Sequence, residues 1–370
     1  MPRKLIICAD GTWNAENNTD EGRPAPTNVL KIARALRPET RGGISQIIHY
    51  QSGVGTDLSR RFIGGAFGAG LFDNVIDCYR FLVHNYQPGD ELYLFGFSRG
   101  AYTARSLAGL IRNSGILKRG HEDGEQTAIE LYRDYAEDTL PEGEKSIAFR
   151  AAHSHDTDIH FIGVWDTVGA LGIPGFNGSF RLAKGLDWQF HDVTLSQRVH
   201  FAYHALAVHE HRAEFVPTLW EMQPPDPAHP QTLEQVWFSG AHSDVGGGYA
   251  ATGLSDVALS WMVEKAIDAG LEVDLEVLPG YKPDPLAEGH DSFSALYKIL
   301  GVFRGKPTGE FRIYDAEAKS TCQTIHPGIR KRFEKEPDKK KWPPTFFNAL
   351  GKKIEGVEQT EAATRRDILG

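Results

Sequence analysis

The stretch "LYLFGFSRGAYTARSLAGLI" (92–111) carries an apolar strand pattern through Gly-x-Ser-x-Gly directly into a helix pattern. A serine hydroxyl is a poor nucleophile unless it is lifted clear of the sheet and given a base. A tight strand-to-helix turn does the lifting, and Gly96 and Gly100 are the small residues that let the backbone adopt it. Ser98 is therefore the candidate nucleophile. A helix starting under it offers N–H groups and the positive end of its dipole, both of which favour negative charge. The Arg99 N–H is the natural donor to an oxyanion there. Gly-x-Ser-x-Gly alone occurs by chance in many chains; strand before and helix after are what give it weight here.

Three more segments carry residue types that such a serine requires. "CADGTWN" (8–14) ends an early apolar run, and glycine there lets backbone approach a reacting oxygen. Gly11 or Thr12 is the expected second oxyanion donor, with Asp10 orienting the loop or holding Thr12; the bland reading is a plain Asp-Gly turn. "FIGVWDTVGALG" (161–172) puts Asp166 at the mouth of an apolar run, where a carboxylate can orient a histidine, or else merely cap its own loop. "VWFSGAHSDVGGGY" (236–249) offers His242 as the base, in a loop of small residues. Asp244 is the alternative acid. The glycines could cradle a phosphate, but the Lys-Ser/Thr continuation of a P-loop is missing. The order Ser98, Asp166, His242 is the one expected for a nucleophile on a strand–turn–helix elbow.

These segments must be positioned by elements that the hydrophobic pattern locates. Strands are expected at 4–10, 45–56, 90–97, 158–170 and 234–249, the longer ranges including exit loops. Helices are expected at 28–36, 74–86, 100–115, 195–212 and 255–270, the last capped by Ser255. Alternation at this spacing implies an α/β fold, a mostly parallel central sheet with helices on both faces and chemistry at its carboxyl edge. One domain over 1–345 is expected. Residues 171–195 and 271–323 read as lid or side-wall insertions and 346–370 as a tail.

Composition narrows the function classes. The 370 residues carry a net charge of -9 with 24% charged and 41% hydrophobic residues, the profile of a globular chain with a large core. That balance argues against nucleic acid as a partner. Cys8, Cys78 and Cys322 are too sparse for a disulfide framework or zinc site. His200 and His204 would share a helix face, but with His209 and His211 they give no recognisable ligand set, so neither metal nor organic cofactor is expected. His153, His155 and His160 read as surface residues. The basic run 330–341 reads as a solvated face with a weak attraction to anionic phospholipid, a transient membrane-surface contact. The apolar run before Asp10 is too short for a signal-peptide core, so the expected location is cytoplasmic, with signal-less secretion as the alternative. Oligomeric state is not legible.

Taken together, "DGTWN" (10–14), "GVGT" (53–56), "GFSRGAYTAR" (96–105), "GVWDTVGALG" (163–172), "HALAVHEHR" (204–212) and "FSGAHSDVGGGY" (238–249) resemble a family of bacterial and fungal α/β-hydrolases. The family is typified by the catalytic domain of type VI secretion phospholipase effectors. The resemblance implies an α/β-hydrolase fold and a triad of Ser98, Asp166 and His242. It also implies an ester or lipid substrate, with phospholipid acyl esters as the characterised case. His209 stands where the pattern leads one to expect an acidic residue. The resulting expectation is a serine hydrolase of carboxylic esters. The alternatives are an amidase or thioesterase on the same triad, metal-dependent phosphoester chemistry, and a non-catalytic binding module.

Overall fold

The computed structural model describes residues 2–11, 14, 16–53, 66–134, 136–168, 193–212, 215–292, 311–315, 317–338 and 341–351. Its centre is a seven-stranded sheet: β1 (Lys4–Ala9), β2 (Gln46–Gln51), β3 (Glu91–Phe97), β4 (Ile159–Trp165), β5 (Val199–Ala207), β6 (Thr232–Phe238) and β7 (Gln323–Ile325). The spatial order is β2-β1-β3-β4-β5-β6-β7, and every neighbouring pair is parallel. The helices are α1 (Asn28–Ala35), α2 (Ala66–Asn85), α3 (Arg99–Ser114), α4 (Glu125–Arg133), α5 (Glu144–His153), α6 (His242–Gly246), α7 (Gly253–Asp268), α8 (Pro327–Lys335) and α9 (Pro344–Gly351). This is the α/β class expected from the sequence. Among the described residues, no helix is long and apolar enough to cross a membrane.

Successive side chains of a strand point to opposite faces, and in a parallel sheet both faces are covered. Leu5 and Ile7 of β1 and Leu92 and Leu94 of β3 pack with α2, α3 and α4 on one face. Ile6, Cys8, Tyr93, Phe95 and Phe97 pack with α1 and α7 on the other. The chain leaves β1 for β2 on one side and returns to β3 on the other. The loops after β1 and β3 therefore flank the point where strand order reverses, where open α/β sheets bind ligands.

Four expectations need correction. The helix expected at 195–212 is strand β5. The segment "VHFAYHALA" is buried on both faces, Ala202 toward α3 and Tyr203, Ala205 and Ala207 toward α7, so it shows no period-2 alternation. β7 falls at the end of the segment read as an insertion, and three residues are too few to show as a pattern. Ser255 is not the cap of α7: Thr252 stands at that position, and the Ser255 hydroxyl donates back to its carbonyl at 3.0 Å. The boundary expected at 345 falls inside α9, where fully buried Phe346 packs with Trp237 and Trp342. The body of the 171–195 insertion and most of the 346–370 tail lie outside the described residues.

Gly100 shows how tightly the elbow is built. A Cβ there would lie 2.1 Å from the carbonyl oxygen of Ala9 and 2.5 Å from that of Asp10. Gly100→Ala must push α3 off β1, and overpacking of this kind costs about 1–3 kcal/mol or more. The expected result is a lower urea midpoint at unchanged m-value; an unchanged midpoint would contradict the close approach of helix and strand.

Candidate active site

Ser98 sits between β3 and α3 with φ 56° and ψ −119°, a left-handed conformation that ordinary residues avoid. Strain of this kind costs on the order of 1–3 kcal/mol and persists only where surroundings enforce it. Gly96 and Gly100 leave room for the tight turn that holds it: a Cβ on Gly96 would meet the Gly100 carbonyl at 2.4 Å. Serine at a helix N-cap ordinarily turns its hydroxyl onto the backbone. Ser98 does not, and among the described residues its Oγ makes no hydrogen bond. The Arg99 N–H is the first of α3.

Asp166 also has positive φ, 42°, and is fully buried at the end of β4. Its carboxylate has four donors. Oδ2 accepts from His242 Nδ1 at 2.5 Å and from Arg312 Nη2 at 2.9 Å; Oδ1 accepts from Arg312 Nη1 at 2.5 Å and the Ala207 N–H at 3.0 Å. Burial pushes this carboxyl up, but Arg312 and His242 outweigh it and hold it well below the usual range. His242 opens α6, four residues after β6, and is 4% exposed. Its ring lies 4.6 Å from that of Phe97, the residue before Ser98, and edge-on to Phe215 at 4.9 Å. Gly246 makes the Phe97 contact possible, since a Cβ there would fall 1.9 Å from that ring. Burial lowers the His242 pKa, and Asp166 pulls it back up. With Nδ1 bonded to Asp166, Nε2 is left for proton transfer.

Asp10 is buried behind the loop after β1. Oδ1 accepts from the Gly11 N–H at 2.7 Å, and Oδ2 accepts from Thr27 Oγ1 at 2.6 Å and Tyr50 OH at 2.7 Å. Burial pushes its pKa up to about 6, against those three bonds. The expectation that Gly11 donates to an oxyanion is therefore corrected: its N–H is committed to Asp10. What Gly11 contributes is room, because a Cβ would sit 3.2 Å from the Ser98 Cβ. Thr12 lies outside the described residues.

The alternative acid is elsewhere. Asp244 accepts from the Ala241 N–H and the His290 N–H, both at 2.9 Å, and binds His290 Nδ1 at 2.6 Å. It fixes the start of α6 and does not touch the His242 ring through any of these bonds. The loops after β1, β3, β4 and β6 thus bring Asp10, Gly11, Ser98, Arg99, Asp166 and His242 to one edge of the sheet, and Asp244 serves the scaffold.

The family model for "T6SS, Phospholipase effector Tle1-like, catalytic domain" matches residues 3–265. The chain belongs to this family. A curated relative, the uncharacterized protein YEL023C of Saccharomyces cerevisiae, is 33% identical over 194 residues, 46% of this chain. The match spans 27% of that relative's length. Two solved structures are more distant. One is an uncharacterized protein from Pseudomonas aeruginosa, with TM-score 0.43 and 17% identity over 90% of this chain and 52% of the other. The second is the Tle1 effector bound to the VgrG spike of the type 6 secretion system, with TM-score 0.42 and 15% identity over 87% and 84%.

In this Tle1-like chain the reading from sequence missed several residues around the site. Arg312 is far from every motif and lies beyond the matched region; no local signal marks it. Glu210, 1% exposed, binds Arg212 Nη2 at 2.9 Å, accepts from Ser292 Oγ at 2.9 Å, and reaches the His242 backbone N–H at 3.3 Å. Burial raises its pKa, but Arg212 brings it down to about 2. His204, read as half of a histidine pair, is buried in β5. It accepts from the Thr167 N–H at Nε2 (3.0 Å) and donates from Nδ1 to Gln235 at 3.1 Å, which fixes its tautomer and steadies the turn after Asp166. Burial lowers its pKa to about 3, so it is neutral. His200 is bound to Asp158 at 3.2 Å, His209 accepts from the Gly240 N–H at 2.9 Å, and His211 packs on Phe311.

Proposed function

We propose that the chain is a serine hydrolase of carboxylic acyl esters, with phospholipid acyl esters as its substrate class. The observation that carries the reading is the 2.5 Å bond from His242 Nδ1 to Asp166, on the sheet edge that also holds the strained, uncapped Ser98. Membership of a family described by its phospholipase effectors supports the substrate class.

In this reading His242 Nε2 takes the Ser98 proton as Oγ attacks the acyl carbonyl. Asp166 holds the imidazole in the tautomer with a proton on Nδ1 and stabilises the imidazolium that forms. The Arg99 N–H receives the oxyanion, and the α3 dipole favours the same charge. The tetrahedral intermediate collapses, His242 returns the proton to the leaving alkoxide, and an acyl-enzyme remains. Water then attacks with the same base and releases the carboxylic acid. Ser98 Oγ engages the base when substrate arrives, since such bonds often tighten only in the complex.

The test is a panel of phosphatidylcholine vesicles, matched short-chain esters, a thioester and an amide, each read by mass spectrometry of the released acid. Acyl release from the phospholipid, with a lysophospholipid as co-product, is the expected outcome. Release from the amide or thioester alone would assign the triad to the rival chemistry. No release from any member, together with a serine inert to fluorophosphonate, would identify a binding module instead.

A further inference from the structure

Resting on that reading, we propose that Arg312 is a positioning residue of the hydrolytic site: its guanidinium fork fixes the plane of the Asp166 carboxylate and shares its charge, so that the His242 imidazole stays neutral and ready to accept a proton.

The geometry is specific. Both terminal nitrogens of Arg312 engage both oxygens of Asp166, the bidentate arrangement that confers orientation as well as attraction. The same nitrogens donate to the backbone carbonyls of Ala207 at 2.8 Å and Phe215 at 2.5 Å. One side chain thus ties together the end of β4, the end of β5 and the loop whose Phe215 ring touches His242. Arg312 is 6% exposed, whereas its neighbours Phe311 and Ile313 are 48% and 72% exposed, so the chain turns this one residue inward. With the fork in place, only one lone-pair direction of Oδ2 is left for the imidazole.

Charge gives the second half of the argument. The described charged groups around His242 form two opposing pairs. Asp166 is paired with Arg312 from the 311–315 segment. Glu210, which reaches the His242 backbone, is paired with Arg212 in the segment after β5. On α6 itself, Asp244 is tied to His290. The rings of Phe97 and Phe215 cover the imidazole and carry no charge. Without the Arg312 cation, a whole negative charge at hydrogen-bond distance would favour the imidazolium, and a protonated His242 cannot act as a base.

Two variants separate positioning from simple structural support. Arg312→Met removes the charge and the fork; Arg312→Lys keeps a charge and removes the fork. The first readout is the pH dependence of Ser98 labelling by a fluorophosphonate. The second is the titration of the His242 imidazole, followed by nitrogen-15 NMR on histidine-labelled protein, which does not depend on activity. Arg312→Met is expected to move the acid limb of labelling and the imidazole titration upward together, by about one to two pH units. Arg312→Lys is expected to return both toward wild type while labelling at high pH stays about tenfold slow. A loss of labelling or thermal stability in Arg312→Met with neither titration displaced would overturn the proposal and leave a structural ion pair. If Arg312→Met does not fold, Arg312→Lys decides: a high-pH labelling rate equal to wild type overturns the role of the fork. If wild-type Ser98 never labels, the hydrolase reading falls, and the NMR titration still decides the effect of Arg312 on His242.

Discussion

Ser98→Ala is expected to abolish fluorophosphonate labelling and lower ester turnover by about 10⁴-fold or more, with its thermal transition at or slightly above the wild-type value. The two halves of this result follow from the same observation. Ser98 Oγ neither caps α3 nor bonds any described residue, so its removal orphans no partner. The backbone strain at φ 56° belongs to the tight turn for which Gly96 and Gly100 leave room, and alanine inherits it without adding atoms. Loss of activity in this variant therefore reports chemistry and not unfolding. Labelling that survives the substitution would show the nucleophile to be another residue.

Asp166→Asn should be equally damaging to turnover, by about 10³–10⁴-fold, but with a different stability signature. An amide has the shape of the carboxylate and can keep the Ala207 N–H bond, yet it must turn its NH₂ toward either His242 or Arg312. The first choice selects the wrong imidazole tautomer. The second sets a donor against a buried guanidinium. Either way Arg312 is left without an anion, and breaking a buried pair from one side costs about 3–5 kcal/mol. The pH dependence has a definite sign. Asp166 has a folded pKa below its unfolded one, so its stabilisation is complete above about pH 4 and is lost as pH falls through the depressed folded value. The variant should lack that part of the acid destabilisation. Chemical denaturation at pH 7 and pH 3 checks both points: a stability deficit as large at pH 3 as at pH 7 would contradict the ion-pair account.

The strands that carry the candidate site were legible because each ends in a run that is apolar up to a residue of unusual type: Asp10, Ser98, Asp166, and Ser239 leading to His242. Buried parallel strands are continuous apolar runs, and their exit loops are where polar residues first become affordable. β5 was misread for the same physical reason in reverse. Its histidines at 200 and 204 and its covered faces mimic a helical stripe, and only the pairing with β4 and β6 decides the matter. The choice between Asp166 and Asp244 could not be made from spacing, because it depends on which carboxylate His290 occupies 46 residues downstream of Asp244. Gly11 misled for a subtler reason: glycine signals a close backbone approach, which is real, but not which N–H is left over after Asp10 has taken its own. Arg312 was invisible because long-range ion pairs leave no local pattern.

That last residue bears on how this protein is handled in the laboratory. The region of family likeness closes at residue 265, yet the cation gripping the acid arrives 47 positions later, from a stretch that also adds the outermost ribbon of the sheet and two helices. An expression fragment cut to the homologous span would keep Ser98, Asp166 and His242 while omitting the counter-charge and the shielding that Trp342 and Phe346 give to Trp237. Inactivity of such a fragment would say nothing against the serine; the smallest unit worth assaying extends through α9.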